Sequence, residues 1–127
     1  MTSDELTKFA RSYAEAWSSR DPTKVAAFFA KNALISVNDG AGAPIAQVAS
    51  GFMADFPDML VTFDNLEPRG HHVAFHWKLN GTYAGNGNKV RISGYELWKI
   101  NSDGLIAESK GHFDAQDYER QLKSHDP

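Results

Sequence analysis

The chain contains no cysteine. That excludes a disulfide framework, a thiolate zinc site and a cysteine nucleophile, and it suits a reducing cytoplasm. Long apolar runs are missing too: no stretch approaches the roughly 20 residues that cross a bilayer as a helix. Basic residues form no run or stripe, and 13 Lys and Arg against 16 Asp and Glu leave a net charge of −3, which speaks against nucleic acid. The opening Met1-Thr2-Ser3-Asp4-Glu5 is acidic where a secretory leader is basic and then apolar. There is no nucleotide fingerprint leading from a strand into a helix, and no Gly-x-Ser-x-Gly elbow. These absences lead us to expect a cytoplasmic protein with neither a membrane nor a nucleic-acid partner.

What is present is ordinary for a folded domain. The 127 residues, 42% hydrophobic and 23% charged, form one domain, 1–127, large enough to bury a core without metal or disulfide staples. Thr2 and Glu5 have capping-box spacing, and Leu6, Phe9, Ala10, Tyr13, Ala16 and Trp17 recur at helical intervals, which predicts a helix over 3–18. Asp21-Pro22 begins a short second helix with Val25, Phe28 and Phe29 on its apolar face. Residues 33–37 form a short strand. A loop over 38–42 follows, and Pro44 then opens a third helix that Pro57 stops.

Beyond Pro57 the period falls to two. Strands are expected over 59–66, 71–83, 89–101 and 105–113, with turns at Pro68-Arg69-Gly70, Gly85-Asn86-Gly87-Asn88 and Ser102-Asp103-Gly104. A terminal helix starts near Asp114. Helices segregated from an antiparallel meander mean α+β.

Three stretches carry a family resemblance. They are Tyr13-Ala14-Glu15-Ala16-Trp17 with Asp21, Val25, Phe28 and Phe29; Gly81-Thr82-Tyr83 before a glycine-rich turn; and Gly94-Tyr95-Glu96-Leu97-Trp98-Lys99-Ile100 with Asp103-Gly104 and His112-Phe113-Asp114. Together they resemble the SnoaL-like polyketide cyclases of the nuclear transport factor 2-like superfamily, and more distantly ketosteroid isomerases and limonene-epoxide hydrolases. The resemblance spans residues 6–122 and implies a cone-shaped half-barrel whose curved antiparallel sheet and N-terminal helices close one pocket. It also implies a homodimer through the convex sheet face, where His76, Lys78, Asn80, Thr82, Arg91, Ser93, Tyr95 and Lys99 fall.

Glu96 is the exception on its face of the strand, beside Val90, Ile92, Gly94, Trp98 and Ile100. A carboxylate there loses hydration and its pKa rises, which suits a general acid, base or neutral donor. A shifted register would instead put it in solvent or beside a Lys or Arg. Asp114 matches the aspartate that ends the last strand of the cyclases, where the resemblance implies acid/base work; it can equally be the N-cap of the terminal helix.

His112 shares the parity of Asp114 and could shuttle protons, although Glu108 and Lys110 on the same parity favour an exposed face. Tyr13 stands where the isomerases place an oxyanion donor, and is otherwise a core aromatic. The isomerases' proton-abstracting aspartate is replaced by Val37, and Tyr83 stands where many cyclases carry histidine.

Trp17, Phe28, Phe52, Phe56, Phe75, Trp77, Tyr83 and Trp98 are wall candidates for an apolar ligand. No cofactor is implied. No metal site is expected either, because His72 and His76 would lie about 13 Å apart on one strand. Three functions remain: an enzyme moving protons on an apolar polyketide- or steroid-like carbonyl ligand, a non-catalytic small-ligand-binding protein, or an interaction module whose pocket is filled by its own aromatics.

Overall fold

A computed structural model describes residues 1–123; residues 124–127 of the expected domain lie outside the described part. Helices α1 (Ser3–Trp17), α2 (Pro22–Ala26) and α3 (Ile45–Asp55) pack on one side of a curved, open sheet of β1 (Phe29–Val37), β2 (Ala43–Pro44), β3 (Leu60–Arg69), β4 (His72–Thr82), β5 (Lys89–Ile100) and β6 (Ile106–Phe113), and α4 (Ala115–Lys123) follows. The strand order is β2-β1-β6-β5-β4-β3. This is the α+β half-barrel expected from the sequence, with its sheet not closed into a barrel. No helix among the described residues is long and apolar enough to cross a membrane.

Local chemistry explains the elements. The Thr2 hydroxyl accepts from the Glu5 amide at 3.1 Å while the Glu5 carboxylate accepts from the Thr2 amide at 3.0 Å, so the capping box closes. Thr2→Ala should therefore lower stability by about 1 kcal/mol in chemical denaturation. Ala10, Tyr13, Ala14 and Trp17 form the buried face of α1. The Asp21 side chain caps α2 through the Thr23 amide at 2.9 Å.

The structure departs from the periodicity in four places. Phe29 opens β1 instead of closing the face of α2, and the β1–β6 register shifts between Phe29 and Leu34, where Asn32 has φ 64°. β2 pairs Leu34 with Pro44, a two-residue strand too short to leave a periodic signal. β3 runs on through Pro68, expected in a turn. It is an edge strand, and only there can a residue without an amide hydrogen join a ladder. The turn falls instead at Gly70, with φ 62°. Finally β1 pairs with β6 in parallel, joining an early strand to the end of the meander.

Helix α4 completes the sheet where β6 falls short. β6 pairs with β5 only from Gly94 onward. At Arg91 the exposed backbone is met by a side chain: the Arg91 amide donates to Gln121 Oε1 at 2.7 Å and Gln121 Nε2 donates to the Arg91 carbonyl at 2.9 Å. A side-chain amide thus imitates a strand neighbour. Gln121→Ala should cost about 1–2 kcal/mol and speed hydrogen exchange at the Arg91 amide, which NMR reads directly.

Candidate functional site

The concave face of the sheet and helices α1 and α3 enclose a cavity of about 60 Å³. Trp17 reaches it from α1, Val48 and Phe52 from α3, Ile35 and Val37 from β1, and Val61 from β3. Phe75, Trp77 and Leu79 of β4 line it together with Ile92 and Glu96 of β5 and Gly111 and Phe113 of β6. Val37, Val48, Phe52, Trp77 and Phe113 are half-buried and make the outer rim. Glu96 is 6% exposed and is the sole carboxylate in this lining.

The register explains why Glu96 points inward. It pairs with Gly111 on β6 and Phe75 on β4, so Gly94, Glu96 and Trp98 share the concave face with Ser109, Gly111 and Phe113. A buried carboxyl needs partners, and three side chains supply them. Ser109 Oγ donates to Oε1 at 2.8 Å, the Tyr13 hydroxyl at 2.9 Å and Trp98 Nε1 at 3.1 Å. Oε2 meets only the same Tyr13 hydroxyl, at 3.2 Å. The two oxygens thus differ: Oε1 has three donors and Oε2 keeps unused acceptor capacity.

Burial raises the Glu96 pKa above the ordinary 4.5, against the opposing pull of the bonds from Ser109, Tyr13 and Trp98. The Tyr13 phenol is pushed well above 10, first by burial and then by the Glu96 charge. Tyr13 is therefore a neutral donor committed to Glu96. Its ring meets Trp98 edge-on at 5.2 Å and Phe75 at 5.3 Å, while Phe75 stacks on Trp98 at 4.8 Å. That aromatic cage holds the carboxyl in place.

The other candidates are placed apart from this cavity. Asp114 is exposed at the start of α4, and its Oδ1 accepts from the Asp117 amide at 3.0 Å, so it occupies the N-cap position. It borders grooves on the outer surface. His112 lies on the convex face, its ring 5.1 Å from Tyr95.

Of the wall candidates, Trp17, Phe52, Phe75 and Trp77 line the cavity. Four do not. Phe28 meets Phe9 and Tyr13 edge-on, Phe56 packs between Tyr83 and Tyr118, and Trp98 lies behind Glu96 as its donor. Among the described residues no cluster of three His, Asp or Glu could hold a metal ion.

Ser109, a donor to Glu96, is not among the residues singled out from the sequence. Its signal was present: residues 108, 110 and 112 are polar and outward, and Ser109 is the one hydroxyl on the complementary inward set with Gly111 and Phe113.

Comparison with known proteins places this architecture. No curated protein sequence matches the chain. Among solved structures it is similar to AclR of Streptomyces galilaeus, provisionally described as a hydroxylase, with 17% identity, 99% of this chain and 86% of that one covered, and a TM-score of 0.81. It is similar to a protein of Catenulispora acidiphila with a ketosteroid isomerase-like fold, solved with trimethylamine (17% identity, 95% and 93% covered, TM-score 0.78). It is also similar to a provisionally described SnoaL-like polyketide cyclase of Jannaschia sp. CCS1 (18% identity, 96% and 92% covered, TM-score 0.79). At these identities the likeness establishes the fold. The model of the SnoaL-like polyketide cyclase family matches residues 7–122, nearly all of the sequence, and the chain belongs to that family.

Proposed function

We propose that the protein is a cofactor-independent enzyme that moves a proton on a small apolar carbonyl compound, with Glu96 as the group that takes and returns it. The observation that carries this reading is the asymmetry of Glu96. Three donors fix Oε1 and stabilise the ionised form, while desolvation destabilises it. The net effect is a raised pKa, which makes the carboxylate a stronger proton acceptor than an exposed one and suits acid/base work.

Oε2 would accept a proton from a carbon beside the ligand carbonyl. The C–H electron pair would shift to form an enolate, and the proton would return to the same or a conjugated carbon. Tyr13, Ser109 and Trp98 are positioning residues that orient the carboxyl. Asp114, which caps α4 on the surface, and His112, on the convex face, are left out of the chemistry.

Size narrows the ligand. About 60 Å³ holds several waters but is far below the roughly 300 Å³ at which drug-sized sites begin. Only the reacting end of a polyketide- or steroid-like molecule fits, with the remainder at the Val48 and Phe52 rim.

Deuterium exchange tests the proposal. Cyclopentanone in D₂O should gain deuterium beside its carbonyl faster with the protein than without it, and Glu96→Gln should remove the acceleration. Equal exchange with both proteins would leave the non-catalytic binding alternative, which a single carboxyl in an apolar cavity also suits.

We further infer a homodimer through the convex face, supported by the row of His76, Tyr95 and His112 rings there, with Arg69 over Tyr95 at 5.2 Å. Sedimentation velocity should give twice the chain mass, and Tyr95→Glu should return it to the monomer value.

A further inference from the structure

The cavity holds a second polar group that the chemistry above does not use. Trp17 is 7% exposed and lines the cavity, and its indole Nε1–H has no hydrogen-bond partner among the described residues. It is the one buried side-chain polar atom among them in that state. A buried unpaired N–H is unusual, because leaving it dry forfeits the hydrogen bond it had with water in the unfolded chain. Such groups in folded proteins call for a reason.

The neighbourhood defines what would satisfy it. Trp17 packs edge-on against Tyr13 at 6.4 Å and Phe52 at 6.1 Å, so it stands between the residue that holds Glu96 and the rim. Its indole is near enough to Tyr13 to favour a phenolate there, yet forms no hydrogen bond with the neutral hydroxyl. The lining residues thus include Glu96, whose Oε2 has spare acceptor capacity, and Trp17, whose Nε1–H is a spare donor. Apart from the indole of the half-buried Trp77 at the rim, the other side chains of the lining are hydrocarbon or glycine. An indole can only donate, so its complement is a ligand atom that accepts.

We propose that Trp17 Nε1–H is the donor that recognises a carbonyl oxygen at the buried end of the ligand, so that the site selects ketones and related carbonyl compounds over hydrocarbons of the same shape. This rests on the proposed function and names the residue that sets its ligand class. The indole tells a ligand with an acceptor from one without, because the latter leaves the N–H unpaired. It also faces the oxygen on which negative charge would develop when Glu96 removes the neighbouring proton. Trp17 has then two roles, in affinity and in charge stabilisation, and both reside in one hydrogen atom.

Two probes of matched shape separate the possibilities. Cyclopentanone carries an acceptor and methylenecyclopentane does not. The protein has three tryptophans, so its amide correlation spectrum should contain three indole resonances, and Trp17→Phe identifies the one from Trp17. Cyclopentanone should move that resonance downfield in the unaltered protein while methylenecyclopentane leaves its hydrogen-bond shift unchanged; this arm needs no variant.

In Trp17→Phe, which keeps an aromatic ring in the wall, affinity for cyclopentanone should fall about five- to tenfold and affinity for methylenecyclopentane should hold. Circular dichroism checks that the variant is folded. If cyclopentanone binds without moving the Trp17 resonance, or if the substitution weakens both probes equally, the inference is overturned while the Glu96 mechanism stands. If neither probe binds the unaltered protein, both fall together.

Discussion

Glu96→Gln should abolish Glu96-dependent deuterium exchange, a loss of at least about 10²-fold for the removal of a positioned acid/base group, while leaving the affinity for cyclopentanone within about twofold. The amide matches the carboxyl in size and can still accept from Tyr13, Ser109 and Trp98 through its oxygen, so the cage survives. It cannot take a proton at the position of Oε2.

The same variant should change the pH dependence of stability. Glu96 has its pKa raised by folding, so the folded state binds its proton more tightly than the unfolded chain. The resulting stability is complete below about pH 4.5 and is lost as pH rises through the higher folded value. The slope in that window approaches about 1.4 kcal/mol per pH unit. In Glu96→Gln that component of the slope should vanish, leaving the variant the more stable protein above the window. Urea titrations from pH 4 to 8 measure it, and parallel curves for the two proteins would show that Glu96 is not a desolvated acid.

Gly94→Ala should be among the most destabilising single substitutions in the chain, at about 3 kcal/mol or more. A Cβ there would stand 2.2 Å from the His112 carbonyl oxygen and 2.7 Å from Trp77 Cζ2. The first obstacle is backbone and cannot rotate away. Glycine at 94 lets the ring of its cross-strand partner Trp77 lie across β5 toward Phe113, whose ring is 6.1 Å away, and together they form the lower rim of the cavity.

Gly111→Ala is the matched control. It lies on the same face of the sheet, but its Cβ would meet Ser36 O at 3.5 Å and Glu96 Cγ at 3.8 Å, both ordinary contacts. Thermal denaturation should show Gly94→Ala melting about 10 °C or more below the parent and Gly111→Ala within a few degrees of it. Similar melting points for the two would refute the close approach at 94.

How far the sequence reached depended on the range of the physics involved. Capping boxes, proline stops and two-residue alternation act within a few positions, and they located every long element to within a few residues. Alternation also singled out Glu96, since one carboxylate among apolar residues of equal parity is visible in a single strand. Its partners were not visible as partners. Trp98 is two positions along the same strand, but Ser109 reaches Oε1 only because β5 and β6 pair in one register, and Tyr13 arrives from a helix 83 positions away. Aromatic residues at regular spacing look alike whether they line a void or fill it, which is why Phe28, Phe56, Tyr83 and Trp98 could not be told from Phe52 and Phe75. Pro68 misled for a related reason: it is incompatible with an inner strand, and nothing local announces an edge.

The parallel pairing of β1 with β6 has a consequence for how the molecule is made. Phe113 donates its amide to Asn38, 75 positions earlier in the chain, and Ser109 sits on the same late strand as one of the three donors to Glu96. On a ribosome, the helices and early strands emerge long before that strand does. Until then Glu96 lacks the Ser109 hydroxyl and β1 its neighbour, so the wall remains open and its apolar face is wet. Contacts so distant along the polymer slow folding. Assembly of the chamber should therefore come as a late, cooperative step, with a nascent intermediate that exposes greasy surface and profits from a chaperone.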